Sequence, residues 1–348
     1  MSSTPRTHRR RTLLGTLASG LFVAILALAL APSPPASATS TSCTVSAKLV
    51  PSCGVFLGST LNPLPDRNLS APTQVLAYLE WAWARDVTFV HQYFADAAAF
   101  PTPEEVAWTT DPAHPRALAI NWKPSTTQTW AAVAGGAIDP RIDAEAKRLV
   151  AYGRPMLLAI SHEPEDNVID MVGSGMRPED YAAMYRHVVT RLRSDGVTNV
   201  AFVWDMMGYK GWGQKGYYGR LYPGDAYVDW VASDMYGADL STMLTRAGAG
   251  WPGWYAWATS NHPGKPLAMF EFGMPNPRMT IEQEAQAYES AANEAEQFPQ
   301  LRLLLHFNHG VDGVTKQSLR YDDNWLTIPA FNEMVRDPYL NPVLPITG

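Results

Sequence analysis

The chain has 348 residues, a formal net charge of −6, 46% hydrophobic and 17% charged residues, and two cysteines. That length and apolar share support a real core and exclude wholesale disorder, the negative charge argues against a nucleic-acid partner, and two cysteines are too few for a disulfide scaffold. The aromatic count is high, with 12 Trp, 15 Tyr and 11 Phe, which suits either a dense core or a cleft that grips sugar rings.

Residues 1–38 read as an export signal. Arg6 and Arg9 to Arg11 form a basic start, Leu13 to Ala31 is mostly apolar, and Ala36-Ser37-Ala38 offers small residues for cleavage. Its removal takes four Arg with it and leaves a mature charge of about −10. No second long apolar stretch follows, so the mature chain is expected to be secreted and free of the membrane; a monomer is expected. Residues 39–54 form an N-terminal tail. In an oxidising compartment Cys43 and Cys53 are expected to pair, pinning that tail against the first strand.

From residue 55 to 340, short apolar runs alternate with amphipathic segments. The predicted strands are Val55–Gly58, Val87–Gln92, Ala117–Asn121, Met156–Ser161, Val200–Trp204, Trp230–Ser233, Leu267–Phe270 and Leu301–His306. Several are continuously apolar, as strands buried on both faces are. Between them, Val75, Leu76, Leu79 and Trp83 share one helical face, as do Ile142, Ala146, Leu149 and Val150, with Gly153 at a helix stop. Pro178 begins a helix whose stripe is Tyr181, Met184, Tyr185, Val188 and Leu192, ending at Gly196. Thr280 to Gln297 is another, with Thr280 and Gln283 spaced as a capping box. The helices after the second and sixth strands are poorly marked. Eight such alternations predict a single (β/α)8 TIM barrel with no second domain.

In such a barrel the chemistry sits where strands meet their following loops. His162-Glu163 follows the fourth strand, Glu271 closes the seventh, and Trp122, Trp204, Asp205, Asp234, Tyr236 and His306 to His309 lie at other strand ends. Carboxylates and aromatics gathered at one end are what glycoside hydrolysis requires: two acids flank the scissile bond while sugars stack on flat rings. Glu163 and Glu271 are the best pair, each directly after a strongly apolar run. Pro164 is expected to end the fourth strand, which favours Glu163 over Glu165. Asp205 and Asp234 are read as orienting neighbours or binding sugar hydroxyls. The pair His306 and His309 lacks a third ligand and the geometry of a helical zinc motif. No metal or cofactor is expected.

Four stretches carry a specific likeness: His162-Glu163, Tyr222 to Trp230, Asp234-Met235-Tyr236-Gly237, and Phe270-Glu271-Phe272-Gly273. With them the chain resembles glycoside hydrolase family 26, best known for secreted β-mannanases. The resemblance implies a retaining double displacement on polysaccharide, with Glu163 as acid/base and Glu271 as nucleophile. It further implies that Tyr236 hydrogen-bonds the nucleophile, that His162 contacts the sugar beside the cleaved bond, and that Trp122 matches a strand-three tryptophan. Trp204 and Phe307 complete the expected sugar contacts. β-1,4-Mannan is the first substrate expectation, with β-1,3- or mixed-linkage glucan, xylan, or a non-catalytic glycan-binding barrel as alternatives. The chain departs from the mannanase pattern after His162-Glu163: Pro164 to Asp170 offers no aromatic platform, and an arginine is missing before the histidine. Tyr209, Trp212, Tyr217 and Tyr218 are either replacements or packing residues.

Overall fold

The computed structural model describes residues 43–274, 279–310 and 318–345; the export segment expected at 1–38 lies outside the described residues. Eight parallel strands close into one barrel in chain order: β1 Phe56–Thr60, β2 Phe89–Ala95, β3 Ala117–Lys123, β4 Met156–Ile160, β5 Val200–Met206, β6 Trp230–Tyr236, β7 Leu267–Gly273 and β8 Leu301–His306. All eight apolar runs are strands. Six of them, β1, β2, β3, β5, β6 and β7, run on past the apolar stretch into polar residues, because the neighbouring ladder satisfies their backbone groups. β4 is the reverse: Ser161 turns into the left-handed region at φ 51° and stops the strand at Ile160.

The well-marked helices form where their signals fall. Pro72–Trp83 buries Val75, Leu76, Leu79 and Trp83, and Thr280 caps Ile281–Ala295 by accepting from the Gln283 amide. In Asp139–Tyr152 the stripe is Ile142, Ala146 and Leu149, whereas Val150 is exposed, one residue past the buried face. The weakly marked segment after β2 is the helix Pro103–Thr110, started by a capping box from Thr102 and Glu105. After β6 the chain breaks into two short helices, Leu240–Thr245 and Trp254–Asn261. Neither is long enough to display a full amphipathic stripe.

Strand alternation sorts the core into two layers. Phe89, Ala119, Leu157, Ala159, Val203, Ala232, Ala268 and Leu305 fill the barrel interior. Leu118, Ile120, Trp122, Leu158, Ile160, Phe202 and Trp204 pack outward under the helices. The alternation breaks in β8 at Arg302, where Leu267 pairs with Leu301 but Ala268 with Leu303, and again in β7, where it bears on the site. Ser233 pairs with Met269 and Asp234 with Glu271, and on the other side Met269 pairs with Leu304 and Phe272 with His306. One extra residue is therefore inserted at Phe270, a β-bulge. Phe270 points into the barrel, Phe272 outward, and Glu271 between them shares the inward face of its register partner Asp234.

The barrel floor is sealed by the N-terminal tail. Cys43 and Cys53 are bonded, Val45 bridges Pro51, and Leu49 joins Leu344 in the interior cluster. Lys48 donates to the Val200 carbonyl and pairs with Asp229, and its own carbonyl accepts from the Trp230 indole at 2.8 Å. The tail is thus anchored on the starts of β5 and β6, rather than pinned against the first strand, because Leu49 fills the open end of the barrel. Replacing both cysteines by Ala is expected to lower unfolding stability by about 2–3 kcal/mol through the freed loop, read by chemical denaturation.

Candidate active site

Glu271 is the centre of the mouth. The bulge at Phe270 carries it into the interior, where it is buried at 6% exposure. Two phenols hold it: the Tyr93 hydroxyl donates to Oε1 at 2.6 Å, and the Tyr236 hydroxyl donates to Oε2. Burial raises the Glu271 carboxyl, and the bonds from Tyr236 and Tyr93 oppose that rise by stabilising the anion. Both tyrosines are held well above the ordinary phenol range, chiefly by burial and then by the charge of Glu271, so they remain donors.

Rings frame this carboxylate. Phe307 stands edge-on to Tyr93 at 6.2 Å and lies 5.9 Å from Tyr236. His162 packs on Tyr93 at 5.7 Å. Burial, and then the charge of Lys123, pull the His162 imidazole down to about 4, so it is neutral near pH 7. Beneath Tyr93, His91 is fully buried and pulled down to about 3, mainly by burial.

Glu163 comes from a different piece of local structure. With Ser161 and Glu163 both in the left-handed region, at φ 51° and 49°, the chain leaves β4 abruptly and enters the turn Pro164–Asn167. Each such non-glycine residue costs on the order of 1 kcal/mol, a strain typical of functional sites. Its carboxyl is pushed up to about 8, first by burial and next by the charge of Glu271. Glu165 does not compete for this place: it is buried, and its Oε1 accepts from the Met207 amide at 3.0 Å, behind the cleft.

Below the glutamates sit two further acids. Asp205 on β5 and Asp234 on β6 are fully buried and lean on each other, and none of their four carboxyl oxygens has a donor from any other described residue. Burial and neighbouring negative charge push both carboxyls far up. Two adjacent buried carboxylates without a cation cannot both ionise, so at least one keeps its proton and bonds the other.

The structure brings together five expected residues, Glu163, Glu271, His162, Tyr236 and Phe307. It removes two. Trp122 and Trp204 are fully buried on the outward face, the opposite parity from Asn121 and Asp205. Trp122 packs on Phe100 at 5.4 Å and Trp204 on Tyr222 at 4.9 Å, so neither can stack on a sugar. Tyr209 and Tyr218 are packing residues as well. The Tyr209 hydroxyl accepts from the Tyr236 amide at 2.8 Å, and Tyr218 is buried against Trp251 and Trp257. His306 is enclosed outside the barrel by Phe272, Tyr288, Tyr321 and Phe331. Tyr93 is the residue that sequence reasoning missed. Its signal was its place two residues after His91 on the same strand face.

A closed parallel barrel whose mouth holds a tyrosine-clamped carboxylate facing a second, proton-retaining carboxyl has the parts of a glycoside hydrolase. Comparison with known proteins agrees. The model of glycosyl hydrolase family 26 matches residues 83–255, and the chain belongs to that family. The match includes Tyr93, Glu163 and Tyr236 and stops before Glu271, whose assignment therefore rests on geometry. The chain is 32% identical over 123 residues to endoglucanase H of Acetivibrio thermocellus, covering 34% of this chain and 13% of that protein. It is 33% identical over 105 residues to the β-1,3-xylanase TXYA of a Vibrio species, covering 30% and 22%. It thus spans only a small part of either relative. Among solved structures, the Bacillus subtilis mannanase man26 superposes with a TM-score of 0.55 at 15% identity, over 85% of this chain and 91% of that one. A modular endo-β-1,4-mannanase from Cellulomonas fimi gives 0.55 at 17% identity, over 82% and 71%. These likenesses establish the fold.

Removing either clamp should weaken the anion. Tyr236→Phe and Tyr93→Phe each lose one bond to a charged acceptor, and kcat is expected to fall about 10- to 100-fold. The acidic limb of the kcat/KM–pH profile should move to higher pH, because the Glu271 carboxyl rises without its donors. For the lower pair, Asp205→Asn keeps a donor toward Asp234 and should cost under about 1 kcal/mol of stability. Asp205→Ala strands a buried carboxyl and should cost about 1–3 kcal/mol, as read from paired denaturation curves.

Proposed function

We propose that the protein is a secreted retaining endo-β-glycosidase acting on polysaccharide. The observation that carries this reading is the division of labour between the two glutamates: Glu271 is held as an anion by Tyr93 and Tyr236, while Glu163, in its field, keeps a proton near neutral pH. Glu163 gives its proton to the glycosidic oxygen as the bond to the anomeric carbon breaks. Glu271 attacks that carbon and forms a glycosyl ester. Glu163, now a carboxylate, takes a proton from water, and the hydroxide displaces Glu271 with a second inversion. His162 and Phe307 contact the sugar at the cleaved bond.

β-1,4-Mannan is the first candidate substrate. The solved structures of this fold named above are mannanases, whereas the two relatives by sequence are an endoglucanase and a β-1,3-xylanase. The turn Pro164–Asn167 carries no aromatic platform, so β-glucan and xylan stand close behind. The panel that tests this is mannan, mixed-linkage glucan, β-1,3-xylan and β-1,4-xylan, with wild type and Glu271→Ala. Wild type should release reducing sugar from at least one of them with retained anomeric configuration in the first product, and Glu271→Ala should fall at least 1,000-fold. Activity on the cleaved substrate should decline above about pH 8, where Glu163 loses its proton. Inversion, or no release from any member, overturns the assignment.

A further inference from the structure

The ends of β3 and β4 enclose a cavity of about 170 Å³ on the flank of Glu163. Its polar lining includes Lys123, Ser125, Thr126, Gln128, Ser161, His162 and Asn167, and no carboxylate is among its lining residues. Lys123 shares the inward parity of Ala119 and Asn121, so β3 delivers its ammonium at the mouth rather than to the outer surface. Among the described residues it has no ion-pair partner. Asp96, whose backbone amide bonds the Lys123 carbonyl, has its carboxylate engaged by Thr126 and Arg141. The acids deeper in the mouth are either clamped, as Glu271 is, or share a proton, as Asp205 and Asp234 do. Among the described residues the cavity therefore holds a cation without an ion-pair partner, surrounded by hydroxyl and amide groups, next to Glu163, whose carboxyl its charge pulls down against the rise from burial.

A neutral sugar seated there would strip water from that ammonium and return only hydroxyl contacts, whereas an anion would replace the lost hydration with an opposite charge. We infer that this cavity is a subsite for a sugar bearing an anionic substituent, a carboxylate or a sulfate ester, with Lys123 as its partner. The inference rests on the glycosidase reading only in assigning that anion to a sugar of the substrate. It also bears on the overall charge. A chain with a net charge of −6 disfavours a polyanion at long range, so the fitting substrate is a mainly neutral glycan with scattered acidic units.

The test titrates the full chain and its Lys123→Gln variant with methyl β-D-glucuronide, methyl β-D-glucoside and inorganic sulfate, followed by calorimetry or ligand-observed NMR. Wild type should bind the glucuronide at least tenfold more tightly than the glucoside, and Lys123→Gln should erase that preference while Lys123→Arg keeps most of it. Displacement of the glucuronide by sulfate at lower concentration, again lost in Lys123→Gln, supports the anion subsite and assigns it to a sulfate ester. Equal binding of the two glycosides by wild type overturns the inference, as does a preference that survives Lys123→Gln with circular dichroism unchanged. The binding readout is independent of turnover. Anion preference without hydrolysis of any polysaccharide would refute the proposed activity alone, and hydrolysis without anion preference would refute this inference alone.

Discussion

The extra residue at Phe270 is the constraint on which the mouth of the barrel depends. In a regular β7, Glu271 would follow Leu267 and Met269 onto the outward face and lie under the helices. The bulge reverses that parity from Glu271 onward and puts the carboxylate in register with Asp234. There it can be reached from both sides, by Tyr93 on β2 and Tyr236 on β6. An ionised glutamate at that depth would be too costly without those donors. Bulge and tyrosines therefore form one device, in which the backbone aims the acid and the phenols keep it charged.

The same low-polarity setting explains why the two glutamates behave differently. Both are buried, and burial raises both. Only Glu271 has donors to counter it, so the negative charge settles there, and Glu163 in its field holds a proton. The pair Asp205 and Asp234 follows this logic further down. With no cation among the described residues to balance them, they retain a proton between them and spare Glu271 an added charge. Lys123 stands apart as a cation at the mouth, beside Glu163 rather than beneath it.

Much of the architecture was legible in the chain. Eight apolar runs predicted eight strands, and Thr280, Pro178 and Gly153 marked helix ends where the structure has them. Glu163, Glu271, His162, Tyr236 and Phe307 were legible from their places after those runs. Trp122 and Trp204 were misread for one reason: a strand end identifies depth along the barrel axis but not the face, and one residue of parity separates a sugar platform from a helix-packed indole. Tyr93 was overlooked because its one local signal, the strand face shared with His91, does not say what it binds; its role exists only once Glu271 arrives from β7.

By itself, then, the sequence determined the fold class, the disulfide partners and the general chemistry, because apolar period, turn residues and residue types are local properties written along the chain. Tertiary structure alone decided which side chains face the cleft, where the proton resides among the buried acids, and that Lys123 has no ion-pair partner among the described residues. Those depend on strand register, on the bulge in β7 and on the electrostatic field of residues far apart in the chain. Such quantities have no value until the barrel closes.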